Sequence, residues 1–197
     1  MSSTPDRADR AATQAMATGA LNMAFFGAVW TAAGSGGIGG AAGVGVLVVG
    51  WTLAVVLCVG SVRLRRGARA LPRDDSLQVQ ARRRSTLGRF NLVFGLEFLA
   101  IAVAVFLLVR LGLQSWIPSV VALIVGIHFF PLAELFGARV YHLTGALLCV
   151  LALVAFLLAP GSRLALVGVG SAATLFATSA YVLLVGARAT RSPPPEG

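Results

Sequence analysis

The sequence predicts an all-α fold, a polytopic transmembrane helical bundle of six spans with both termini cytoplasmic. Three observations carry that expectation. Of 197 residues, 57% are hydrophobic and only 12% charged, and the mean hydropathy of +0.86 lies outside the range of soluble domains. Six apolar stretches can be delimited by charge, glycine and proline. The charges themselves fall unevenly about those stretches.

The spans are expected at about 15–33, 40–61, 90–109, 117–136, 143–159 and 163–186, within one membrane domain of residues 15–188. Each comes near the ~20 residues that a helix needs to cross ~30 Å of hydrocarbon, the first and fifth being short. A stretch such as VLVVGWTLAVVLCV lacks the period-two alternation of a barrel strand. Tails 1–14 and 189–197 are expected to be disordered, and 62–89 to form a basic cytoplasmic loop. Within that loop, Pro72 and Asp74-Asp75-Ser76 read as a turn and an N-cap, predicting a short interfacial helix from Ser76 to about Thr86. Arg7 and Arg10 are balanced by Asp6 and Asp9, a poor start for a signal peptide.

All 16 basic residues are arginine, so a lysine-bearing phosphate loop, a Schiff base and a lysine general base are excluded. Nine of the arginines lie between Arg63 and Arg89, which assigns the formal charge of +9 to a membrane surface and not to nucleic acid. With six spans, one side collects 14 of the 16, and only Arg110 and Arg163 fall on the other. By the positive-inside rule the richer side is cytoplasmic, in the cell membrane. Arg82, Arg83 and Arg84 are candidate contacts for anionic lipid head groups, with setting of topology as the competing reading.

The stretch Gly34-Ser35-Gly36-Gly37-Ile38-Gly39 fits the dinucleotide pattern G-x-G-x-x-G, but it lies between two apolar spans instead of after a strand. Gly36/Gly40, Gly39/Gly43, Gly168/Ala172 and Gly170/Thr174/Thr178 are small-xxx-small spacings, expected to pack inside the bundle or at a homodimer interface. Cys58 and Cys149 stand alone in apolar runs, no metal-ligand spacing occurs, and no cofactor is expected.

Polar residues inside spans carry the remaining signal. Glu97 lies ~12 Å deep from Arg89 and His128 ~16 Å deep from Arg139, at ~1.5 Å per residue. A short connection makes their spans neighbours, so the two are expected to meet as an intramembrane pair. A lone carboxylate there would cost roughly 2.5–3.5 kcal/mol. Both a static interhelical clamp and a proton relay fit such a pair. Pro131 is expected to kink the fourth span, and Asn22, Asn91, Glu134 and His142 are candidates for a cytoplasmic vestibule leading to the pair.

The segments FGLEFLAIAV, VALIVGIHFFPLAELF and VYHLTGALLCV resemble a group of uncharacterised six-helix bacterial membrane proteins of the actinobacterial type that carry a G-x-H-F-x-P-L-A segment. The resemblance covers roughly residues 88–150 and implies that Glu97, Gly126, His128 and Pro131 occupy the motif positions. It implies no activity. With no HExxH, no Gly-x-Ser-x-Gly and no carboxylate pair at catalytic spacing, no catalytic residue is assigned and an enzyme is disfavoured. The favoured reading is a structural or accessory membrane component. The alternative is a small proton-linked transporter or permease using Glu97 and His128.

Overall fold

In an apolar medium each backbone amide and carbonyl must be satisfied within its own segment, so long runs of alanine, valine, leucine and glycine become helices. The computed structural model describes residues 10–70 and 77–190, without the side chains of 77–84 and 87. It contains α1 (Arg10–Ile38), α2 (Gly40–Ala68), α3 (Leu77–Arg110), α4 (Ile117–Phe136), α5 (Arg139–Ala155) and α6 (Pro160–Ala189), with a 3-10 turn at Gln114–Trp116. Five of the helices are long and apolar enough to cross a membrane. The exception is α5, whose 17 residues extend ~26 Å at ~1.5 Å per residue.

Several helix boundaries differ from the sequence expectation. The interfacial helix expected at Ser76–Thr86 is not a separate element, because α3 runs unbroken from Leu77 to Arg110. No proline interrupts that stretch, and isolated glycines such as Gly88 and Gly95 are too weak as breakers to end a helix. The fifth helix begins four residues before its expected start, at Arg139, and ends at Ala155. Gly137 closes α4 in the left-handed conformation at φ 60°, which lets α5 start almost at once. At its far end, Pro160 opens α6 and holds Ala159 extended at ψ 154°, as the residue before proline requires. Helix α1 begins at Arg10, within the stretch expected to be a tail, and α2 continues to Ala68, within the expected loop. The remaining tail residues 1–9 and 191–197, and the cap at Asp74-Asp75-Ser76, lie outside the described residues.

One core joins Ala20 and Met23 of α1, Phe129 and Leu132 of α4, Tyr141 and Leu148 of α5, and Leu175 and Val182 of α6. Helix α2 packs from outside against α1 and α6, and α3 against α4. The glycine-rich turn is part of this packing. Gly39 and Gly40, at φ 70° and 54°, reverse the chain between α1 and α2 in a conformation that costs glycine little. A Cβ on Gly37 would lie 2.6 Å from the Ala165 nitrogen, and one on Gly168 would overlap the Gly34 backbone. A Cβ on Gly43 would lie 2.5 Å from the Ser35 carbonyl oxygen. These small residues let α1 touch both α6 and α2 within a single chain.

Candidate functional site

Helix α3 presents a narrow seam. Phe90, Val93, Phe94, Glu97, Ile101, Ala104, Val105 and Leu108 are half-buried, while Leu92, Leu96, Leu99 and Val103 between them are exposed. The spacing of three and four residues marks one face of a helix, and that face lies on α4. Glu97 occupies a seam position that an apolar residue would ordinarily fill.

Opposite it stands His128 of α4, with Nε2 3.3 Å from Glu97 Oε2. The imidazole and carboxyl side chains are only 7% and 9% exposed. Either the ring N–H donates to a carboxylate or a protonated carboxyl donates to Nε2, and in both cases two polar groups answer one another out of water. The Val93 backbone, one turn before Glu97, also faces the ring. Phe94 and Phe129 flank the imidazole, each with its ring centroid 6.2 Å away. Phe94 in turn packs on Phe90 at 5.6 Å and on Phe98 at 4.8 Å. The second ring nitrogen, Nδ1, is buried without a hydrogen-bond partner.

The segment around the histidine positions it from the other side. Gly126 precedes His128 by two residues, about 200° round a helix. A Cβ on Gly126 would meet the Cys149 sulfur at 2.7 Å, and one on Gly145 would meet the Gly126 carbonyl oxygen at 2.7 Å. The glycine therefore seats α4 directly on α5 while the histidine points the opposite way, to α3. Helix α4 continues through Pro131 to Phe136. The proline is exposed, and its missing N–H leaves the Ile127 carbonyl without the usual helical partner.

The four residues expected to form a vestibule do not assemble as one group. Glu134 Oε1 lies 3.2 Å from His142 Nε2, joining the end of α4 to the start of α5, with the carboxylate 80% exposed and the imidazole 42%. Asn22 and Asn91 are exposed on α1 and α3, helices that do not form a packed pair. The side chains of Arg82, Arg83 and Arg84 lie outside the described residues. Among the described residues no group of three or more histidine, cysteine or acidic side chains is placed to hold a metal ion.

Arg163 is a polar centre that the sequence reading treats only as an outer charge. Its side chain is buried, and its guanidinium donates to the carbonyls of Ala155 at 3.1 Å, Leu158 at 2.8 Å and Ser115 at 3.0 Å. It also lies 3.6 Å from the Trp116 ring centroid, and Trp116 stacks on Phe156. A cation thus closes the C-terminal end of α5 and ties it to the turn before α4. The nearby Pro160-Gly161-Ser162 helix start and a tryptophan at the opposite connection were the available signals. A second missed contact is the 2.7 Å hydrogen bond between the hydroxyls of Thr144 on α5 and Thr178 on α6.

Comparison with curated proteins and with solved structures finds no match. A family of unknown function, DUF7010, matches residues 79–185, a range that holds most of α3 and all of α4 and α5, with Glu97, Gly126, His128, Pro131 and Arg163 among its residues. Because that match spans more than half of the sequence, the chain belongs to the DUF7010 family of unknown function.

Proposed function

We propose that this chain is a six-span protein of the cell membrane, with both termini cytoplasmic, that acts as a structural or accessory membrane component. In this reading Glu97 and His128 form an interhelical clamp. The observation that carries it is the closed geometry of the pair, 3.3 Å apart with both side chains at most 9% exposed. A transport site must meet its cargo, whereas these two groups meet each other and a phenylalanine ladder. A cavity of about 510 Å³ lies elsewhere, between α2 and α6.

Topology is supported by the arginines, 14 of which share one side if all six helices cross. Phe156, Leu157 and Leu158 extend the apolar path of α5 beyond its helical end. In a background without Cys58 and Cys149, Gly36→Cys should react with an impermeant maleimide from outside intact cells, and Ala70→Cys only after permeabilisation. Labelling of both from the same side would overturn the arrangement. Arg82, Arg83 and Arg84 then face anionic head groups, and a homodimer would use small residues not already occupied within the chain, such as Gly36 and Gly45, whose Cβ positions meet nothing within 4 Å.

A proton-linked transporter or permease is the second reading. What favours it is the unpartnered Nδ1 of His128, since a relay needs one position to receive a proton and another to release it. Proteoliposomes carrying the wild type and Glu97→Gln separate the readings. The clamp predicts equal, background decay of an imposed pH gradient, and the relay predicts a flux that the substitution abolishes in a folded protein.

A further inference from the structure

A second feature of the molecule is a lateral groove far along the chain from the Glu97–His128 pair. Helices α2 and α6 run in the same direction, as the contacts of Gly60 with Leu183 and of Leu64 with Gly186 require. They diverge enough to leave the cavity of about 510 Å³, within the usual range for a small-molecule site. Leu57 and Gly60 of α2 and Leu183 and Leu184 of α6 form its apolar walls, and Arg63 and Gly67 line its α2 side toward the helix end. Among the described residues no acidic side chain lines it.

The groove opens sideways among exposed apolar residues. Val56 and Leu184 on its two walls are 61% and 59% exposed, so in a membrane it faces acyl chains and not water. Arg63 follows Leu57 by six residues, ~9 Å along the helix axis. Beyond it Arg65, Arg66 and Arg69 are exposed at the end of α2. An occupant must therefore be apolar for one to two helical turns and anionic at one end. We infer that the α2–α6 groove is a binding site for an anionic phospholipid, with an acyl chain along Leu57, Gly60 and Leu183 and the phosphate on Arg63.

The inference rests on the membrane-spanning reading, whose failure would show separately as recovery of the chain in the aqueous fraction without detergent. It is independent of the role of Glu97 and His128. Native mass spectrometry of the full chain in micelles containing equal phosphatidylglycerol and phosphatidylcholine reads it directly. The wild type should retain phosphatidylglycerol preferentially, and Arg63→Gln should reduce that preference about fivefold, the equivalent of ~1 kcal/mol for one arginine at the surface. Gly67→Leu should reduce retention of both lipids, because a Cβ there meets nothing within 4 Å, leaving the fold room for a side chain that blocks the groove. Arg65→Gln, outside the groove lining, should leave retention unchanged, and inorganic phosphate should not raise the melting temperature. Equal retention of the two lipids by the wild type, an equal loss with Arg65→Gln, no effect of either groove variant in a normally melting protein, or protection by phosphate alone would each overturn the site.

Discussion

A charged residue in an apolar sequence can be buried for opposite reasons, and Arg163 and Glu97 illustrate both. Arg163 is satisfied by backbone carbonyls and an aromatic face, whereas Glu97 is satisfied by one imidazole. Removing a donor that serves several buried carbonyls leaves acceptors unpaired. Arg163→Leu should therefore destabilise the protein by about 1–3 kcal/mol, against less than about 0.5 kcal/mol for Arg110→Leu at an exposed site. Denaturant titration in detergent measures the difference, and equal effects would mean that the Arg163 contacts contribute nothing. His142 and Glu134 belong at the other extreme, since an exposed pair of this kind contributes little. That Glu97 and His128 stand at similar heights on neighbouring helices could be counted in sequence from the flanking arginines, and the two lie 3.3 Å apart. The role of Arg163 was not legible, because its acceptors are main-chain groups of two connections, Ser115 and Ala155–Leu158, whose folding no side-chain pattern records.

Helices were easier to find than their neighbours. Apolar length located all six, and the extents of α4 agreed residue for residue, because Pro118 near its start and Gly137 at its end are unambiguous stops. The merging of the 76–86 segment with α3 was not legible, since charge density separates a surface helix from a span by solvation and not by backbone geometry. Nor did small-xxx-small spacing say which helix receives a glycine: Gly168 meets Gly34 of α1, Gly170 meets Leu151 of α5, and Gly36 of α1, like Gly45 of α2, meets nothing within 4 Å. Gly168→Leu should cost about 1–3 kcal/mol or more through overpacking of the α1–α6 crossing, and Gly45→Leu should be close to neutral. A thermal melt of the two variants in detergent checks this, and equal melting would place the α1–α6 crossing farther apart than its backbone contact indicates.

At the scale of the molecule, α1, α4, α5 and α6 share a core, and α3 lies at its edge, packed on α4 and the short turn before that helix, with Phe90 reaching the core. Among its described side chains the seam is half-buried at best, which leaves little apolar interlock to fix the rotation or depth of α3. In lipid, apolar contact alone gives little reason for one register over another. In the proposed clamp the Glu97–His128 pair, 3.3 Å apart, supplies that register and holds α3 to the rest of the protein. A double-mutant cycle with Glu97→Leu, His128→Leu and the double substitution, read by amide hydrogen exchange along α3 in lipid nanodiscs, tests it most directly. Each single variant should accelerate exchange in α3 while leaving α1 and α6 protected, because it strands one polar partner in an apolar seam. The double variant should lose less than the sum of the two, with a coupling of about 0.6–1.7 kcal/mol. Additive effects, or α3 protection unchanged in both single variants, would contradict it.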